Sequence, residues 1–235
     1  MPYFKAVLLD WVGTLVVPKW GPAPGRPKGA PWIERSLLLL GRDTSESEIR
    51  RLSTSLSEAG SRPDVARGWS DASADAHRDG YTRWVRAAGI DAALADALYA
   101  TLSDPSGNPF ATDVEPTLAA LKGAGLKVAV ISDIHFDVRP AFAQAGLDAY
   151  VDGYALSFEH GLCKPDPVFF GVALDQLGAR PEETLMVGDR SARDGGAVEA
   201  GLTTLLLPPL TGTTEQRLHL VLGACGIAAD NGISR

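Results

Sequence analysis

From residue 114 onward, short apolar runs alternate with amphipathic stretches. The runs 127–132 (KVAVIS), 184–188 (TLMVG) and 202–207 (LTTLLL) are too short for ordinary helices and predict strands. Residues 5–10 (KAVLLD) predict another buried strand near the N-terminus. Between these runs the spacing predicts helices over 115–124, 137–146, 167–178 and 191–200. Gly146, Gly178 and Gly201 fall where three of them stop, and Asp113 stands where the first would be capped. Nearly continuous apolar strands separated by helices predict a parallel sheet covered on both faces. In such sheets ligands bind beyond the carboxyl ends of the strands, near a topological switch point.

Residues 18–105 follow another pattern. The stretch 18–31 (PKWGPAPGRPKGAP) is rich in proline and glycine and reads as a linker. Helical stretches follow near 31–41, 44–59, 71–88 and 92–103, with no strand pattern among them. Residues 104–109 (DPSGNP) form a second joint rich in helix breakers. The expected architecture is an α/β fold: a doubly wound parallel sheet, Rossmann-like, from residues 1–17 and 106–235, with an inserted all-helical cap domain over 18–105.

Composition narrows the classes. The 235 residues are 45% hydrophobic and 22% charged, as in ordinary globular proteins. The net charge is −7, which argues against nucleic acid as a partner. No apolar run approaches the ~20 residues that span a bilayer, so no membrane partner is expected. Residues Met1 to Lys5 lead straight into the first strand, leaving no room for a signal peptide. Two cysteines, Cys163 and Cys225, do not make a disulfide framework; the plain reading is reduced thiols in a cytoplasmic protein.

Four polar punctuation marks fall where strands end. Asp10 closes the first strand, Ser132 and Asp133 the second; Lys164 lies in the loop GLCKPDP, and Asp189 and Asp194 lie in VGDRSARDGGA. Singly, each has an ordinary reading: a turn aspartate, a turn serine, a solvated lysine. Together at one end of a sheet they supply a nucleophilic carboxylate, a hydroxyl, an ammonium and further carboxylates. That set suits displacement at phosphorus or carbon through an aspartyl intermediate.

These motifs resemble those of the haloacid dehalogenase superfamily. Its first motif, Asp-x-Asp-Gly-Thr, is similar to Asp10-Trp11-Val12-Gly13-Thr14; Ser132, Lys164-Pro165 and Gly188-Asp189 through Asp194 match the other three, in order. The resemblance covers residues 5–16 and 114–207, with the helical insert where the family carries its cap. It implies a Mg²⁺-dependent, phosphatase-like hydrolase of a small phosphorylated metabolite. Asp10 would be the nucleophile, with Ser132 and Lys164 holding phosphoryl oxygens and Asp194 positioning Lys164 or a metal-bound water. Asp10, Asp189 and the carbonyl of Val12 would hold Mg²⁺. Gly13 and Thr14 would shape the turn and the substrate site, joined there by Asp133 and His135.

Val12 breaks the pattern. The family's phosphatases carry an acid/base aspartate at this place, a function worth ~10²–10⁴ in rate. Three kinds of relative lack it. Phosphonoacetaldehyde hydrolases carry Asp-Trp-Ala-Gly-Thr but need a cap lysine, and near the cap stand only Lys19 and Lys28, both in the linker. The 2-haloacid dehalogenases work without metal and lack the Gly-Asp of the fourth motif. A non-catalytic binding or regulatory member is the third alternative. His135, three residues past Ser132, is the candidate substitute proton carrier, expected to titrate near neutrality; its ordinary reading is a solvent-facing loop residue. His77 reads as a solvated helix residue, or as one that meets substrate when the insert closes; Trp20, Trp32, Trp69 and Trp84 read as core packing rather than a substrate cage, and Asp133 as a charge that weakens binding of highly charged substrates.

Overall fold

The computed structural model describes residues 3–21, 25–66 and 70–228. Trp69 and residues 22–24 of the first linker stretch lie outside them. Five parallel strands form one sheet in the order β3-β2-β1-β4-β5. They are β1 (Ala6–Leu9), β2 (Lys127–Ser132), β3 (Gly153–Leu156), β4 (Thr184–Gly188) and β5 (Thr203–Leu206). β1 is central and wholly buried, in register through Leu8 with Ala129 of β2 and Met186 of β4. Its side chains alternate as the pleat requires. Val7 and Leu9 enter one core with Val128, Val130, Phe142 and Val187; Ala6 and Leu8 enter the other with Ile131, Phe169, Phe170 and Met186. Both faces are therefore apolar, which is why the run reads as continuous.

Helices α1 (Ala30–Leu39), α2 (Glu46–Gly60), α3 (Pro63–Ala66), α4 (Ala74–Ala87) and α5 (Ala92–Leu102) form the expected helical insert. Ser45, Ser73 and Asp91 cap α2, α4 and α5, each accepting a hydrogen bond from a backbone N–H of the first turn. The insert packs on a hydrophobic cluster of its own, including Trp32, Ile33, Leu52, Leu56, Tyr81, Trp84 and Leu98. Trp32 and Trp84 stack at 6.0 Å between ring centroids, and Trp20 meets each edge-on at 5.4 Å.

The remaining helices are α6 (Val114–Gly123), α7 (Arg139–Gln144), α8 (Ser157–His160), α9 (Pro167–Leu177) and α10 (His219–Ala224). Some details differ from expectation. The predicted helix over 191–200 is a 3-10 segment, Asp194–Ala200. Gly195 and Gly196 disfavour an α-helix there, and a Cβ on Gly196 would lie 2.3 Å from Cβ of Pro165. Asp113 makes no side-chain cap on α6; its Oδ2 accepts from the backbone N–H groups of Arg217 and Leu218 instead.

Order 3-2-1-4-5 makes the chain reverse its direction of winding between β1 and β4. The carboxyl ends of β1, β2 and β4 thus bound one crevice, on the side where Asp10, Ser132 and Asp189 emerge.

Candidate active site

Beyond β1 the chain turns back at once. Backbone N–H groups of Leu15 and Val16 bond to the Trp11 carbonyl, and Leu210 N–H bonds to that of Gly13. Gly13 has φ +90°, and a Cβ there would lie 2.5 Å from Asp189 Oδ2. Glycine is needed on both counts: a positive φ and the close seat of a carboxylate. Thr14 is fully buried and its hydroxyl donates to Asp10 Oδ2 at 3.2 Å. Gly13 and Thr14, expected to bind substrate, are thus buried and support the turn and its carboxylate.

Lys164 is the hub. Its Nζ lies 2.6 Å from Asp10 Oδ1 and 2.6 Å from Asp194 Oδ1. Asp194 turns its other oxygen to the backbone N–H groups of Asp189 and Arg190. One residue thereby fixes both the lysine and the loop that carries Asp189. Burial alone would lower the Lys164 pKa, but Asp10, Asp194 and Asp133 outweigh it and hold the ammonium above its ordinary value. Burial, with Asp194 and Asp189 near by, pushes Asp10 up to about 7 against the pull of Lys164.

Asp10, Asp189 and Asp194 offer oxygens within 4.8 Å of one another. Oδ1 of Asp189 is buried without a hydrogen-bond partner, although the carboxylate is held over Gly13. The three carboxylates outnumber the one ammonium among them, and Arg190 offsets only part of the charge on Asp189. Hard oxygen donors, an orphaned oxygen and an excess of carboxylates fit a divalent cation such as Mg²⁺. Asp194 accepts three hydrogen bonds and Asp10 one on each oxygen, so Asp189, whose Oδ1 accepts none, has the most open capacity for one, with Asp10 next to it.

In front of this group lies a cavity of about 230 Å³, walled by Asp10, Val12, Ser132, Asp133, His135 and Lys164 from the sheet side. Lys19, Trp20, Asp71 and His77 wall it from the insert and its linker. Ser132 is buried at the end of β2, as its place in the sequence suggests. Asp133 also holds the loop: its carboxylate accepts from Lys164 N–H at 2.8 Å and from Arg193 at 3.1 Å, which offsets the repulsion expected of it.

Both histidines depart from expectation. His77 and His135 are 2% and 8% exposed, and their rings stack at 3.3 Å. Ser103 Oγ lies 3.0 Å from His135 Nε2, and Tyr99 Oη lies 3.4 Å from His77 Nδ1. Burial draws His77 down to about 4 and, with His77 and Lys19 beside it, His135 down to about 3. His135 is therefore neither solvent-facing nor titrating near neutrality. With Asp71 the pair forms a second group of possible ligands across the seam between insert and sheet.

Two residues escaped the sequence reading. Lys19, assigned to the linker, reaches the cavity; its ammonium donates to the carbonyls of Thr101, Leu102 and Asp104. Burial brings it down to about 8, but three N–H donors on three carbonyls suit a fixed cation and not a free amine nucleophile. Arg217 is buried behind the first motif, its guanidinium on the carbonyls of Gly13, Thr14 and Pro208. Local sequence holds no signal for either, because each acts on backbone far away along the chain.

The family model for haloacid dehalogenase-like hydrolases matches residues 4–201. Glyceraldehyde 3-phosphate phosphatase of Methanopyrus kandleri is 37% identical over 95 residues, 40% of this chain and 41% of that protein. (S)-2-haloacid dehalogenase 4A of Burkholderia cepacia is 32% identical over 113 residues, 48% of either chain. The chain thus spans less than half the length of these relatives. Among solved structures, a HAD phosphatase from Thermococcus onnurineus aligns with TM-score 0.58 at 22% identity, covering 94% of this chain and 99% of that one. Among the described residues, no helix is long and apolar enough to cross a membrane.

Proposed function

The chain belongs to the haloacid dehalogenase-like hydrolases, and from that premise we propose that it is a Mg²⁺-dependent, phosphatase-like enzyme for a small phosphorylated metabolite. Asp10 would take up the phosphoryl group and pass it to water. The observation that carries this reading is the set of three carboxylates around one ammonium, with Asp189 Oδ1 buried and unpartnered beside Asp10.

Asp10 attacks phosphorus through a carboxylate oxygen as the leaving-group oxygen departs with its electron pair. Lys164 offsets the charge on Asp10 and on the phosphoryl oxygens, while Asp194 fixes its position. Ser132 faces the cavity from the end of β2, where its hydroxyl donates to a phosphoryl oxygen. Asp10, Asp189 and the Val12 carbonyl would hold Mg²⁺, which when bound lessens repulsion between carboxylate and phosphate. Water then displaces phosphate from the aspartyl phosphate and restores Asp10.

Val12 gives no proton to the leaving group. His135 does not replace it as an acid, because an imidazole held near 3 is neutral at pH 7. The substrates this site serves are those whose leaving group departs unprotonated, acyl or aryl phosphates. The test is turnover of acetyl phosphate, phenyl phosphate and an alkyl phosphate with and without Mg²⁺, alongside halide release from a 2-haloacid. Release of phosphate from the first two only, dependent on Mg²⁺, is expected. Halide release without metal would replace this reading with a dehalogenase.

A further inference from the structure

A second cavity, about 480 Å³, adjoins the one in front of Asp10. The two share Trp20, Leu102 and Arg190 in their walls, so they lie side by side. The second is lined by Trp20, Trp32, Trp84, Val65 and Ala66, with Arg190 as its charged residue among the described ones. Its aromatic wall is rigid. Trp32 Nε1 donates to the Leu98 carbonyl at 3.0 Å and Trp84 Nε1 to that of Leu56 at 2.7 Å, so both indoles are locked with their N–H groups satisfied. They present hydrocarbon to the cavity. Gly60 keeps the wall open, since even a Cβ there would meet Trp84 Nε1 at 3.3 Å. These tryptophans, expected to serve core packing rather than a substrate cage, also line a cavity.

We propose that this tryptophan-lined cavity is a subsite for an aryl group, and that the substrates are aryl phosphates whose phosphate faces Asp10 and whose ring lies beyond Trp20. The proposal rests on the phosphatase reading and names its substrate class. Two independent features converge on it. Val12 calls for a leaving group that departs without a proton, and a phenolate does so more readily than an alkoxide, its conjugate acid lying near ~10. The adjoining cavity is apolar and aromatic, and ring pairs at its edge gain by offset or edge-on contact. The step balances. The bond from Asp10 to phosphorus forms as the phosphorus–aryloxide bond breaks, and the phenolate takes a proton from solvent. Water then gives inorganic phosphate, releasing its proton to solvent and restoring the carboxylate.

The test pairs binding with turnover in the full chain with Mg²⁺. Phenylphosphonate, which is not hydrolysed, should bind by calorimetry about 10- to 100-fold tighter than methylphosphonate, as expected for burying a ring of this size. Ala66→Trp fills the cavity from an exposed position and should remove that preference. It should also lower kcat/KM for phenyl phosphate relative to acetyl phosphate by about tenfold or more. Ala66→Phe, a smaller filler at the same exposed position, is the second variant should the first not fold. Equal affinity of the wild type for the two phosphonates overturns the subsite, as does an equal response of both substrates to a folded variant. If neither phosphate ester nor acyl phosphate turns over but the phosphonate preference persists and both variants abolish it, the phosphatase reading fails and the aryl subsite stands.

Discussion

The stacked pair His77 and His135 should make the seam between helical insert and sheet sensitive to acid. A free imidazole titrates near 6.5, while burial holds the folded rings down at about 4 and about 3. Below about 6.5 the unfolded chain takes up protons that the folded rings refuse. The stabilising contribution is thus complete above about 6.5 and is lost as the pH falls toward the folded values. At pH 5 an unfolded-state imidazole is almost wholly protonated and the buried ones almost wholly neutral. Each ring then costs about 2 kcal/mol relative to pH 7, and the pair about 4. The charged groups at hand do not cancel this: Asp71, 3.8 Å from His77 Nε2, eases protonation, but Lys19 opposes it at His135. Asp10, Asp133 and Asp189, raised by burial, act in the opposite sense, so the comparison must be with a chain lacking only the imidazoles. His77→Asn and His135→Gln preserve a polar atom near Nδ1 of the first and Nε2 of the second. Urea unfolding at pH 7 and pH 5 should give the wild type a loss about 4 kcal/mol greater than the double variant. Equal losses would refute the neutral, buried stack.

Three further outcomes follow from the site. Asp10→Asn should abolish turnover with the melting temperature retained, because the near-isosteric amide does not attack; residual hydrolysis above background would move the displacement elsewhere. Asp189→Asn should eliminate the rise in melting temperature that Mg²⁺ gives the wild type by mass action; a shift that survives would place the ion elsewhere. Val12→Asp should raise alkyl phosphate turnover most, by up to ~10²–10⁴, and an equal gain for phenyl phosphate would show that proton donation is not what the valine withholds.

The centre of the sheet was legible because β1, β2 and β4 are buried on both faces, so each reads as an unbroken apolar run between helix patterns. β3 was not: it has four residues, starts on Gly153 and lies at the sheet edge, so neither length nor alternation marks it. α10 is six residues long and gave no periodicity. At the site, residues that close a strand were readable from position alone, as with Asp10 and Ser132. Lys19 and Arg217 were not, because their partners are carbonyls of residues 101–104 and of 13, 14 and 208. Backbone acceptors are the same in every sequence, and only folding decides which ones meet a given cation. His77 misled for a related reason: α4 presents it to a histidine 58 positions away, beyond the reach of helical periodicity.

Val12 ties these features together through charge. Its side chain is half-buried and packs against the apolar core around Trp11 and Leu15. A carboxylate in its place would need desolvation in a cavity already walled by Asp10, Asp71 and Asp133, with Asp189 and Asp194 behind. Such a residue would hold a proton readily, which is what a general acid needs, but it would also add repulsion toward an incoming phosphate. The valine removes that repulsion and gives up the acid. The exchange favours turnover only where the leaving group is stable as an anion, and an aryloxide, which spreads its charge into a ring, is such a group. A ring needs an apolar seat, and the wall of Trp20, Trp32 and Trp84 supplies one within reach of the same crevice. On this argument Val12 and the tryptophan-lined cavity belong together, and Val12→Asp combined with Ala66→Trp should move preference from aryl to small alkyl phosphates further than either change alone.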